Sequence, residues 1–118
     1  VGFFKVGLQL YTHEGWPAVE DVLERGHGAF VDLKLHDIPN TVRRAVANLA
    51  VPGVRFLTAH ASGGVEMIAA AAAAIREARA KDPRVQTKLL AVTILTSLDD
   101  ADLREIGASL SRARPAAP

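Results

Sequence analysis

The chain has 118 residues, enough for one compact domain, with 49% apolar and 23% charged residues, as in ordinary soluble globular proteins. A net charge of +1 gives no electrostatic footprint for nucleic acid or an acidic membrane surface, and no stretch is apolar for long enough to span a bilayer. The absence of cysteine excludes disulfides and thiolate metal sites and fits a reducing, cytoplasmic setting.

The chain opens on Val1-Gly2-Phe3-Phe4, with neither a basic leader nor an initiator Met. The expectation is an excerpt of something longer, with no secretory signal. Residues 3–10 read as a strand, with Phe4, Val6 and Leu8 on one face and Phe3, Lys5 and Gly7 on the other. Lys5 is a lone cation there: it either snorkels at an edge or meets a carboxylate on the next strand. Gly15 and Pro17 punctuate, and residues 17–25 form a short helix on Val19, Val22 and Leu23, with Glu20 and Asp21 near its positive end and Gly26 as its stop.

Residues 29–35 are the second strand, and residues 39–50 a helix with Val42, Ala45, Val46 and Leu49 on its apolar face. Pro52-Gly53 ends it, and residues 54–61 are the third strand. Ser62-Gly63-Gly64 then opens an alanine-rich helix to about residue 81, stopped by Asp82-Pro83. Residues 87–95 are the fourth strand, ending at Thr96-Ser97, and residues 101–106 a last short helix. Residues 108–118 carry no period and read as a frayed or unrelated tail.

A strand followed by a helix thus recurs four times, in units of about 25–30 residues. Such repetition makes a parallel sheet with helices outside it. Near-equal units without a dinucleotide-binding glycine fingerprint favour a (β/α)8 barrel over a doubly wound sheet. The predicted architecture is α/β: a partial TIM barrel of about four βα units over residues 1–107. Barrel chemistry sits at the C-terminal ends of strands, and residues 34–37, His60-Ala61-Ser62 and Thr96-Ser97 all fall there.

The most informative stretch is Asp32-Leu33-Lys34-Leu35-His36-Asp37-Ile38-Pro39-Asn40-Thr41. In a strand, Asp32 and Lys34 share one face while Val31, Leu33 and Leu35 share the other. Two buried charges are costly unless paired, so a structural ion pair is the plain alternative. A third charge, Asp37, just past the strand end and before a helix-starting Pro39, argues for a site. Elsewhere the signals are weaker. His13, His27, His36 and His60 lack metal-ligand spacing. His36 reads as solvated or capping, and His60 divides between lining a site and a core hydrogen bond. Gly63-Gly64 suits close helix–strand packing better than anion binding, Arg43-Arg44 a solvated helix face, and Trp16 a packing plug.

The central stretch resembles the signature of orotidine 5'-phosphate decarboxylases. Flanking segments agree: Phe4-Lys5-Val6-Gly7-Leu8, His60-Ala61-Ser62-Gly63-Gly64 and Ala91-Val92-Thr93-Ile94-Leu95-Thr96-Ser97. The resemblance covers about residues 1–107. It implies conversion of orotidine 5'-phosphate to UMP with loss of CO₂, the last step of de novo pyrimidine synthesis, without metal or organic cofactor. By matching position it makes Lys34 the proton donor to pyrimidine C6, sets Asp32 beside the substrate carboxylate, and has Lys5 bridge Asp32 and the ribose. It places Asp37, Ile38 and Thr41 on the ribose of substrate bound to the neighbouring subunit of a homodimer, and Thr96 on the pyrimidine.

The chemistry suits those residue types. Losing CO₂ from C6 leaves a carbanion-like centre without an electron sink. A fixed ammonium stabilises that charge and supplies the proton, and carboxylates such as Asp32 and Asp37 favour its charged form. The family's first strand, with a ribose-contacting Asp, and its last strands, with the Gln, Gly and Arg contacts to phosphate, have no counterpart in the chain. Remote phosphate binding supports catalysis, so the isolated chain is expected to be nearly inactive. Two other readings compete. One is a Mg²⁺-dependent sugar-phosphate decarboxylase or aldolase of the same superfamily. The other is a truncated, non-catalytic chain that only associates with a partner.

Overall fold

A computed structural model of the chain describes residues 2–93. Its element order is β1 (Phe3–Gly7), α1 (Leu8–Glu14), α2 (Trp16–Glu24), β2 (Gly28–Leu35), α3 (Pro39–Leu49), β3 (Val54–His60), a single 3-10 turn (Ala61–Gly63), α4 (Val65–Lys81) and β4 (Lys88–Val92). The four strands lie side by side in chain order, each parallel to the next. A doubly wound sheet reverses direction from its first strand, whereas a barrel adds every strand to the same edge. The sheet is therefore the partial barrel that the repeat predicts.

Alternation along the strands sorts the two faces. Val6, Val31, Leu57 and Ala59 are buried against Val19 of α2, Val42 and Val46 of α3, and Met67, Ala71 and Ala74 of α4. The helices present these residues at the helical period: Val42, Val46 and Leu49 on α3, and Met67, Ala71, Ala74 and Ile75 on α4. The other face of the sheet carries aromatic rings toward the strand starts, with Phe56 5.1 Å from Phe3 and 5.5 Å from Phe30 by ring centroids. Further along that face come Asp32 and Thr58, both buried.

Local chemistry explains the joints. Pro39 starts α3 inside its first turn, where the missing N–H costs nothing. Gly26 and Gly53 turn the chain after α2 and before β3 with φ of +82° and +94°. The Arg79 guanidinium donates to the carbonyls of Val85 and Thr87, and the buried Thr87 hydroxyl donates to Val54 O at 2.6 Å, which fixes where β4 begins beside β3. Gly63 leaves no room for a side chain, because a Cβ there would run into Met67 of α4, whereas Gly64 is open on that side and turns the chain at φ +99°. Trp16 packs on the core as expected.

Three expectations change. The strand predicted over residues 3–10 stops at Gly7, and Leu8–Glu14 is a helix. None of its residues is fully buried, although Tyr11 leans on the core, so it carries no clear apolar stripe. Arg43 is no mere solvated residue: its guanidinium pairs with Glu77 and ties α3 to α4, while Arg44 is exposed. The fourth strand runs over Lys88–Val92 among the described residues. Thr96-Ser97, the helix expected at residues 101–106 and the tail at 108–118 lie outside them.

Leu57 is 1% exposed at the centre of the sheet. Leu57→Ala is expected to destabilise the chain by about 2–5 kcal/mol, the range for a buried leucine that leaves a cavity. The readout is the urea midpoint at unchanged slope; a midpoint within error of wild type would show that the sheet–helix interface is not the core.

Candidate active site

Three neighbouring strands bring a polar cluster of four residues to the open face of the sheet. Lys5 stands on β1, Asp32 and Lys34 on β2, and Thr58 on β3. The Asp32 side chain is only 7% exposed, so its charge depends on its donors. Its Oδ2 accepts from Lys5 Nζ at 2.9 Å and from Lys34 Nζ at 3.0 Å. Its Oδ1 accepts from the Thr58 hydroxyl at 2.7 Å. The lysines are wetter, at 60% exposed for Lys5 and 38% for Lys34, so their ammonium groups face the space above the sheet. Lys5 is thus the carboxylate partner and not a snorkelling edge residue.

Burial alone would push the Asp32 carboxyl up. The hydrogen bonds from Lys5, Thr58 and Lys34, and the charge of Lys34, outweigh it and hold the carboxyl at about 2, below an ordinary 3.8. Asp32 is therefore an anion throughout the physiological range, and what it can do is hold two ammonium groups beside one oxygen.

Asp32 and Lys34 meet, but not as neighbours on a regular strand. The pairing of β2 with β3 jumps from Val31 opposite Leu57 to Leu35 opposite Ala59. Residues 32–34 thus face Thr58 alone across the ladder, a bulge. Lys34 takes a left-handed backbone, φ +50°, the only residue other than glycine to do so among the described residues. Its N–H finds no regular ladder partner and donates to the Thr58 hydroxyl at 2.9 Å. Thr58 is a site residue that sequence reading passed over. Its signal was a polar residue in the otherwise apolar run Phe56-Leu57-Thr58-Ala59, beside the motif strand.

Asp37, Ile38 and Thr41 do not join this cluster. All three are exposed at the junction of β2 and α3, and the Asp37 carboxylate accepts the N–H of Ile38 at 2.7 Å. Lys34, His36, Asp37, Thr41 and His60 line a cleft of about 390 Å³ at the C-terminal end of β2. His36 and His60 lie ring to ring at 5.3 Å, so His60 lines the cleft and His36, although exposed, belongs to its wall. Among the described residues no three His, Asp or Glu side chains converge as metal ligands, and no helix is long and apolar enough to cross a membrane. Thr96 lies outside the described residues.

The depressed Asp32 carboxyl carries a pH dependence of stability. The unfolded chain takes up the proton near 3.8 and the folded chain near 2, so the contribution is full above about pH 4 and lost as pH falls to about 2. It amounts to on the order of 2 kcal/mol. Wild type is expected to lose that much of its advantage over Asp32→Asn across this window, read from urea unfolding at stepped pH. A gap that stays constant would mean the carboxyl is not held low.

The sequence pattern of the orotidine 5'-phosphate decarboxylase / HUMPS family matches residues 1–116, running past Gly107 into the stretch left outside the resemblance. The orotidine 5'-phosphate decarboxylase of Moorella thermoacetica is 52% identical over 107 residues, which cover 90% of this chain and 42% of that protein. The one from Salmonella choleraesuis is 47% identical over 112 residues, covering 95% of this chain and 44% of that protein. The chain thus spans less than half the length of these curated relatives. Among solved structures, an uncharacterized conserved protein from Geobacillus kaustophilus superposes with a TM-score of 0.79 at 41% identity, over 98% of this chain and 53% of the other. Orotidine 5'-phosphate decarboxylase from Lactobacillus acidophilus gives 0.75 at 38% identity, over 97% and 48%. A family match over nearly the whole sequence, on a chain folded as a run of barrel strands, places this chain in the orotidine 5'-phosphate decarboxylase / HUMPS family.

Proposed function

We propose that this chain carries the chemical centre of an orotidine 5'-phosphate decarboxylase, acting in the cytoplasm at the last step of UMP synthesis. The observation that carries the reading is the pair of ammonium groups held on one oxygen of a buried carboxylate, Lys5 and Lys34 on Asp32. In the reaction the bond from pyrimidine C6 to the carboxylate breaks, CO₂ leaves and the electron pair stays on C6. Lys34 stabilises that charge and delivers the proton that completes UMP. Asp32 stands beside the substrate carboxylate and keeps Lys34 in place. Lys5 spans from Asp32 toward the ribose, and Thr96 binds the pyrimidine. The reaction needs no metal or organic cofactor.

The working unit in this reading is a homodimer. Among the described residues Asp37, Ile38 and Thr41 are exposed and make no bond to the Asp32 cluster, although Asp37 and Thr41 share a cleft with Lys34, which suits residues that reach a neighbour's substrate. Ile38 is 65% exposed, an apolar side chain fit for a subunit contact. Phosphate contacts fall, in this reading, to segments of the family with no counterpart in this chain.

Grafting residues 2–93 in place of the matching segment of the Moorella thermoacetica relative tests the centre in a protein of full family length. The hybrid is expected to deplete orotidine 5'-phosphate, followed by its ultraviolet absorbance, with EDTA making no difference. Lys34→Ala should cut turnover by a factor of roughly 10²–10⁴ or more. A folded hybrid without turnover, or turnover that survives Lys34→Ala, would sink the reading. Loss of activity in EDTA would favour the Mg²⁺-dependent sugar-phosphate lyase. Ile38→Asp in the same hybrid should shift sedimentation toward the monomer, raising the dimer dissociation constant about tenfold or more. An unchanged sedimentation profile would remove Ile38 from the interface.

A further inference from the structure

We propose that Thr58 is the positioning residue of this centre: one hydroxyl both orients the Asp32 carboxylate and holds the backbone turn that presents Lys34. A hydroxyl has one proton to give and lone pairs to accept with. Thr58 uses both functions within the cluster. It gives its proton to Asp32 Oδ1 at 2.7 Å and accepts the N–H of Lys34 at 2.9 Å.

The first bond decides which way the carboxylate faces. With Oδ1 committed to Thr58, Oδ2 is left for the two ammonium groups. A carboxylate free to rotate would share its oxygens differently and move both lysines. The second bond replaces the ladder. The register jump between Val31 and Leu35 leaves the Lys34 N–H without a β3 carbonyl opposite it, and Lys34 sits at φ +50°. A left-handed lysine is unfavourable unless its surroundings hold it, and the buried Thr58 hydroxyl is the group placed to do so. Proton donation to an anion also makes the same oxygen a better acceptor, so the two bonds strengthen one another.

Thr58 touches neither a reacting atom nor the substrate in this proposal. It acts through Asp32 and Lys34. Its catalytic consequence rests on the decarboxylase reading, but its structural consequence does not. Thr58→Val keeps the shape and removes the hydroxyl, and Thr58→Ser keeps the hydroxyl and removes the methyl.

In the 118-residue chain, the Asp32 carboxyl carbon is titrated by NMR, with Lys5 and Lys34 the charged groups facing it. Thr58→Val should raise the Asp32 midpoint by about half a unit or more, and Thr58→Ser should leave it near wild type. Exchange of the Lys34 amide should quicken about tenfold in the valine variant and recover in the serine variant. In the hybrid enzyme, Thr58→Val should lower kcat about tenfold or more at nearly unchanged KM, again with rescue by serine. An unmoved Asp32 midpoint with an equally protected Lys34 amide would overturn the proposal, as would failure of serine to restore them. Should the valine variant not fold, the wild-type chain decides alone: the Thr58 hydroxyl proton must exchange slowly, and fast exchange overturns the proposal. A wild-type hybrid without turnover would defeat the decarboxylase reading and leave the titration to judge Thr58.

Discussion

The buried carboxylate of Asp32 is the constraint around which the charged face is built. An isolated anion in that position would cost far more than one side chain can return, so it exists only with donors in place. Three donors are present, two of them cationic, and they come from three different strands. Breaking any one leaves the others around a less satisfied charge. The cluster is therefore a local unit, and the arrangement of the ammonium groups follows from how the carboxylate is satisfied.

The sheet makes this convergence possible because it adds strands in chain order. Residues far apart in sequence, Lys5, Asp32 and Thr58, become neighbours across two parallel ladders. The helices cover the opposite face, while the open face carries aromatic rings toward the strand starts and the charged cluster further along. Membership of the orotidine 5'-phosphate decarboxylase / HUMPS family and the superposition on solved structures fit this singly wound order.

Much of this was legible in the sequence, for specific reasons. The four βα units show because glycine and proline punctuate them and because α3 and α4 keep a clean helical period. Alternation puts Lys5 off the apolar face of its strand and Asp32 off that of the next, which left a pairing open and did not decide it. What stayed hidden depends on tertiary partners. α1 has no buried stripe to announce it. The Arg43–Glu77 bridge joins residues 34 apart, and nothing local marks it. The bulge at Lys34 is invisible to a period-2 argument, which reached the right neighbours through the wrong backbone. Thr58 was overlooked because its function appears only once β3 is laid beside that bulge.

The left-handed backbone of Lys34 also bears on how the chain can change. At φ +50° glycine, which has no Cβ, would rest more easily than lysine by roughly 1–2 kcal/mol. Selection for folding alone would therefore drift away from lysine here. Retaining it sets conformational ease against chemistry at a single position, the kind of site where stability and activity pull in opposite directions. Attempts to stabilise such a chain by folding energy alone would target this residue early, and would gain robustness by removing the ammonium group from its centre.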